Sequence, residues 1–130
     1  MRLGILFVML AACSASSSSS EPEQGADPGP RSGLPSDTLA TGLSDAQRET
    51  LCAWWGETLG VGRMQSCSEC NGDACTDWDV AVSSQADCVE WLQGLQPACA
   101  ATIEDAEDCA FAQQPDLCAW PTACDPFDGC

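Results

Sequence analysis

Ten cysteines lie between Cys52 and the last residue: Cys52, Cys67, Cys70, Cys75, Cys88, Cys99, Cys109, Cys118, Cys124 and Cys130. No other feature restricts the possible folds so much. A chain of 130 residues has room for one domain. Once its N-terminal segment is set aside, roughly ninety residues remain, and a domain of that size buries only about two thirds of its unfolded surface. Such a core is marginal without covalent staples. Ten is an even number, as five disulfides require, and each bridge typically contributes about 2–4 kcal/mol by restricting the unfolded chain. All ten are expected to be bonded. Ten cysteines allow about nine times the 105 pairings open to eight, so spacing leaves the pairing open. Cys52, Cys88 and Cys109, one on each predicted helix, are expected to bond neighbouring segments and not all to one another.

The eleventh cysteine, Cys13, stands almost forty residues upstream. Before it, Arg2 and the amino terminus give a positive end, Leu3 to Leu10 an apolar run, and Ala11-Ala12 the small residues of a cleavage site. The apolar run is about ten residues, half of what a spanning helix needs. Residues 1–12 are therefore expected to be a signal peptide. Leu10-Ala11-Ala12-Cys13 resembles the lipobox of bacterial lipoproteins, which implies cleavage before Cys13 and acyl chains on it. Cys13-Ser14-Ala15 also fits an ordinary signal peptidase, which would remove Cys13 and leave the same ten. Ser14 in place of Asp implies, by the same resemblance, delivery to the outer membrane. Residues 13–42 are expected to be the lipidated cysteine followed by a disordered linker. Six of the seven residues from Ser14 to Ser20 are serine, and Gly25, Pro28, Gly29, Pro30, Gly33 and Pro35 follow. A flexible coil of about 27 residues would span roughly 30 Å.

Charge and missing residue types exclude whole classes of function. Twenty Asp/Glu face four Arg, with no Lys, His or Tyr. That surface repels nucleic acid, so no nucleic-acid partner is expected. Without His or Lys there is no Ser-His-Asp nucleophile, Schiff-base lysine or imidazole metal ligand. No catalytic residues, cofactor or metal are assigned. The partners expected are the membrane, through Cys13, and an unknown protein or glycan.

The domain, residues 43–130, reads as mainly all-α: a disulfide-stapled three-helix unit with an irregular Cys-rich loop and a C-terminal tail. Ser44 with Gln47 forms a capping pair for a helix carrying Leu51, Cys52, Trp55 and Leu59 on one face and ended by Gly60 and Gly62. Trp54 lies about 100° from Trp55 around the axis, so Trp55 is assigned to the interior and Trp54 to the edge. Ser84 with Asp87 opens a second helix with Cys88, Trp91, Leu92 and Leu95 as its buried stripe, closed by Pro97. Thr102 with Asp105 opens a third, carrying Ile103, Ala106, Cys109 or Ala110, and Gln113. Glu104, Asp105, Glu107 and Asp108 crowd its first turns, where the helix dipole alone accounts for them. Arg63 to Asp79 shows no periodicity and reads as a cross-linked loop with an Asn71-Gly72 turn and Trp78 plugged onto the helices. The Pro-rich tail after Pro115 is expected to wrap the helices, with Trp120 and Phe127 against them.

Several arrangements invite chemistry. Cys67-Ser68-Glu69-Cys70 has the C-x-x-C spacing of thiol-disulfide exchange enzymes, but it lies outside a strand-helix context, and Glu69 disfavours the thiolate. Cys67, Cys70 and Cys75 match three zinc ligands, although exported thiols oxidise. Asp73, Asp77 and Asp79, or Asp125 and Asp128, are candidate calcium ligands without the spacing of a helix-loop-helix site. Paired carboxylates of the glycosidase type are set by separation, which sequence does not reveal. Five Trp suit sugar stacking; Trp55, Trp78 and Trp91 are assigned to the core, leaving Trp54 and Trp120 as candidates for exposure. The order of lipobox, Ser-rich tether, "LSDAQRETLCAWW" and "SQADCVEWL…CAATIEDAEDCA" is similar to that of the cysteine-rich lipoproteins numerous in myxobacteria, over about residues 1 to 113. The likeness implies location and helical class only; the function expected is that of a membrane-anchored, non-enzymatic binding or structural module of the cell envelope. A redox accessory or a sugar- or calcium-binding module are the alternatives.

Overall fold

Three capping boxes fix the helices. In each, a Ser or Thr hydroxyl accepts from the N–H three residues on, and the side chain there returns the bond. Ser44 with Gln47 starts α1 (Asp45–Leu59), Ser84 with Asp87 starts α2 (Gln85–Gln93), and Thr102 with Asp105 starts α3 (Ile103–Gln113). Gly60 ends α1 with φ of 84°, a left-handed conformation that costs side-chain-bearing residues energy. The second helix is shorter than expected: Gly94 stops it before Leu95 and Pro97. The computed structural model describes residues 29–130. The signal peptide expected at 1–12, Cys13 and the serine run lie outside the described residues.

The stretch expected as an irregular loop is a β-hairpin, so the domain is mixed α and β, not all-α. Strands β1 (Met64–Asn71) and β2 (Ala74–Ala81) pair antiparallel from Met64↔Ala81 to Asn71↔Ala74. Gly72, the first of the two turn residues, has φ of 66°, the position a type II′ turn reserves for glycine. Only Cys67 is buried in the hairpin, so the short alternation in β2 marks no buried face. Backbone pairing and sulfur hold it instead of a core. Two short 3-10 segments, Ala40–Gly42 and Thr122–Phe127, complete the element order.

The linker expected to run to residue 42 gives way to the fold well before that point. Ala40 and Leu43 are core residues with Leu51, Trp54, Leu92, Ile103 and Phe127. Leu39 bridges Thr102, Ala40 N–H donates to the Ala101 carbonyl at 2.9 Å, and Ile103 N–H donates to the Thr38 carbonyl at 2.9 Å. A Gly/Pro-rich segment can be fixed when a neighbouring backbone satisfies its polar groups, and the start of α3 does so here.

All ten cysteines expected in disulfides are bonded. Cys52–Cys88 ties α1 to α2, and Cys109–Cys124 ties α3 to the second 3-10 segment. Cys99–Cys130 fixes the C-terminus to the link between α2 and α3, Cys67–Cys118 fastens the hairpin to the segment after α3, and Cys70–Cys75 crosses the hairpin. Of the three helical cysteines, two bond each other and the third bonds the tail. Five bridges in so short a domain are the mark of an oxidising, exported environment. Among the described residues, no helix is long and apolar enough to cross a membrane.

Candidate functional site

The positions of the tryptophans differ from a helical-wheel assignment. Trp54, assigned to the edge, is buried at 8 % exposure, while Trp55 is half-buried. The cause is the N-terminal segment: the Trp54 indole N–H donates to the Pro30 carbonyl at 2.7 Å, and its ring meets Phe111 edge-on at 5.4 Å. Burial of an indole is favourable when its N–H finds an acceptor. Trp78 and Trp91, assigned to the core, are 40 % and 46 % exposed, and Trp120 is 57 % exposed. Trp78 stands on a hairpin with almost no interior to enter. In the tail, Phe127 is buried as expected, whereas Trp120 is not.

Exposure of Trp91 and Trp120 leaves a half-open cleft of about 310 Å³, at the lower end of small-ligand pockets. One wall is Trp55, Gly56 and Leu59 of α1; a second is Val80, Ala81 and Val82 at the end of β2. Cys88 and Trp91 of α2, Cys109 and Gln113 of α3, and Leu117, Trp120 and Phe127 complete it. Trp91 is the centre of an aromatic row: 6.4 Å from the Trp55 ring at 63° and 5.5 Å from Phe127 at 44°. Two disulfides, Cys52–Cys88 and Cys109–Cys124, cross-link elements behind these rings. The cleft is therefore pre-formed by covalent bonds, which lowers the ordering cost of binding. Ser83, Asp87 and Gln113 are its only polar side chains. Asp87 Oδ2 caps α2 by accepting from the Ser84 hydroxyl at 2.7 Å, and among the described hydrogen bonds none uses Oδ1.

A second polar constellation lies on α3. Glu107, read from sequence as a dipole partner, is 1 % exposed. Its carboxylate accepts from Arg31 at 2.8 Å, from Ser32 N–H at 2.8 Å and from the Ser32 hydroxyl at 2.6 Å. Arg31 also reaches Asp108 at 2.9 Å. Burial pushes the Glu107 carboxyl up, but the hydrogen bonds from Ser32 and Arg31 outweigh it and hold the group below the ordinary carboxylate range. The hydrogen bonds to Glu107 and then Asp108 raise Arg31 in turn. This clasp locks the start of the domain to α3; it is structural.

The other sequence candidates are dispersed. Cys67 and Cys70 lie on one strand an odd number of residues apart, so their side chains take opposite faces. They bond Cys118 and Cys75, not each other, and the C-x-x-C and three-thiolate arrangements are not formed. Asp79 accepts from Ser66 across the hairpin at 2.6 Å. Asp73 lies in its turn, Asp77 on β2, and Asp125 on the second 3-10 segment with Asp128 just beyond it. Among the described residues no three acids or cysteines converge as a metal site. The cleft itself was not foreseen. Its one sequence signal was Trp91 in a helix already well supplied with apolar neighbours. No family model, curated protein or solved structure matches this chain.

Proposed function

We propose that this chain is an exported, lipid-anchored binding module, held at the outer membrane through Cys13, whose recognition site is the aromatic cleft. The observation that carries the reading is a cleft lined by half-buried Trp55 and exposed Trp91 and Trp120, with two disulfides cross-linking the elements around it. Apolar side chains of this size stay open to water in a small domain when they have a partner to meet. The lining supports recognition and not turnover: its cysteines are bonded, and the chain has no His or Lys to serve as base or nucleophile. The lipobox likeness of Leu10 to Cys13 supports the anchor, and the five bridges support export.

The test is the indole N–H spectrum of the oxidised protein against a panel of a basic peptide, a neutral oligosaccharide and a fatty acid. One member shifts the Trp55, Trp91 and Trp120 signals together and leaves Trp54, which is bonded to Pro30, in place. If no member moves the three, the cleft is not a binding site. In parallel, wild type partitions into detergent and Cys13→Ser stays in the aqueous phase; equal partition removes the anchor from the account.

A further inference from the structure

The cleft combines aromatic faces with one carboxylate, on a strongly acidic chain, and this pairing restricts what fits it. Trp rings present a negative face that attracts cations. The single ionic side chain of the lining is Asp87, with Oδ1 uncommitted. Exposed acids stand within two residues of the lining in sequence: Glu57, Asp79, Glu90, Asp116 and Asp128. The chain carries a net −16 and no lysine. Each arginine of the described residues is already engaged: Arg31 with Glu107 and Asp108, Arg48 with Asp45, and Arg63 with the Gln114 carbonyl. No cation of the domain's own enters the cleft, whose lining is otherwise mostly apolar.

Resting on the binding-module reading above, we propose that the occupant is a basic segment of a partner protein, which inserts an arginine or lysine side chain into the cleft. Such a side chain has both required parts, an apolar stem for Leu59 and Val82 and a cationic head for the Trp91 face and Asp87. A volume of about 310 Å³ accommodates one or two side chains and not a folded surface. The net negative charge of the chain steers the basic segment in and makes association fall with salt. A neutral sugar uses the rings and leaves the charge idle; an acyl chain is opposed by Asp87, whose uncommitted oxygen it would desolvate.

The experiment titrates the oxidised full chain with a ten-residue Gly/Ser peptide carrying one arginine, beside the same peptide with glutamine there. The arginine peptide binds saturably and about tenfold more tightly than the glutamine peptide, the ratio expected for a cation-π contact plus one charge pair. Trp91→Ala and Asp87→Asn each lower that affinity about threefold, whereas Asp37→Asn, exposed and outside the cleft lining, leaves it unchanged. Asn at 87 keeps an oxygen for the Ser84 cap. Should Trp91→Ala fail to fold, Trp120→Ala, at an exposed site, takes its place. Equal binding of the two peptides, or insensitivity to both cleft variants, overturns the cation proposal. If the oligosaccharide or the fatty acid shifts the three indoles instead, the proposal falls and the binding-module reading stands. If nothing does, both fall.

Discussion

Replacing Glu107 by glutamine tests how the domain's first segment is held. The carboxylate has 2 % side-chain exposure and accepts three hydrogen bonds, two from Ser32 and one from Arg31. Gln keeps the volume and one acceptor oxygen; turned to Ser32, where both bonds meet Oε1, it keeps those two, and its NH₂ group then faces the Arg31 guanidinium. Hydrogen bonds to a charged group are worth about 1.5–3 kcal/mol each, and breaking a buried pair costs about 3–5 kcal/mol. Arg31 is 43 % exposed and retains Asp108 and water, which places the cost at or below the bottom of that range. Glu107→Gln should therefore cost about 2–3 kcal/mol, and Arg31→Ala about half as much. For a domain near a hundred residues the first figure lowers Tm by about 10–20 °C. The assay is thermal and guanidinium unfolding at neutral pH with disulfides intact, followed by tryptophan fluorescence, because Trp54 bonds Pro30 beside the clasp. A Glu107→Gln variant melting within about 2 °C of wild type refutes the clasp as a stabilising element.

Other outcomes follow from the same geometry. The folded Glu107 carboxyl is lowered, so the unfolded chain binds the proton more readily; its stabilisation is complete above the ordinary carboxylate value and disappears as pH falls through the lowered one. The stability gap between wild type and Glu107→Gln, measured by denaturant titration, should accordingly shrink below about pH 4.3; a gap that widens there contradicts the sign. Loop-closure entropy for the separations of 36 and 5 residues gives about 3.8 kcal/mol for Cys52–Cys88 and about 2 kcal/mol for Cys70–Cys75, both reduced by the other bridges. Paired Ser substitutions compared by unfolding should preserve that order, and a reversal would show that the hairpin bond carries native contacts. Gly60→Ala forces a side chain into φ of 84° and should cost about 1–2 kcal/mol, read from the same curves; a neutral result removes the helix stop from the argument.

What was legible in the sequence was local. Ser44, Ser84 and Thr102 announce their helices because a capping box needs only residues three apart, and all three form. The even set of ten cysteines is equally plain, since parity and export chemistry require no geometry. What was hidden depends on partners remote in sequence. Trp54 is buried because Pro30 and Phe111 reach it, and a helical wheel contains neither. Ala40 and Leu43 lie among Gly and Pro, yet backbone bonds to Ala101 and Ile103 draw their segment into the fold. Glu107 looked like one more acid in the first turns of a helix until Arg31 and Ser32 closed over it. The hairpin had one available signal, Thr76, Trp78 and Val80 alternating with Asp77 and Asp79, which its dense cysteines and acids obscured. The cleft had only Trp91, because its walls come from pieces remote in sequence: α1, the close of β2, the middle of α2 and the tail.

The most direct measurement is differential alkylation of protein taken fresh from the cells that make it, followed by intact and peptide mass. Before reduction, no domain cysteine takes label; after reduction all ten do, and the linked peptides include Cys52–Cys88 and Cys109–Cys124. Label on Cys52, Cys88, Cys109 or Cys124 before reduction, or linked peptides joining these to other partners, contradicts a cleft built on closed disulfides.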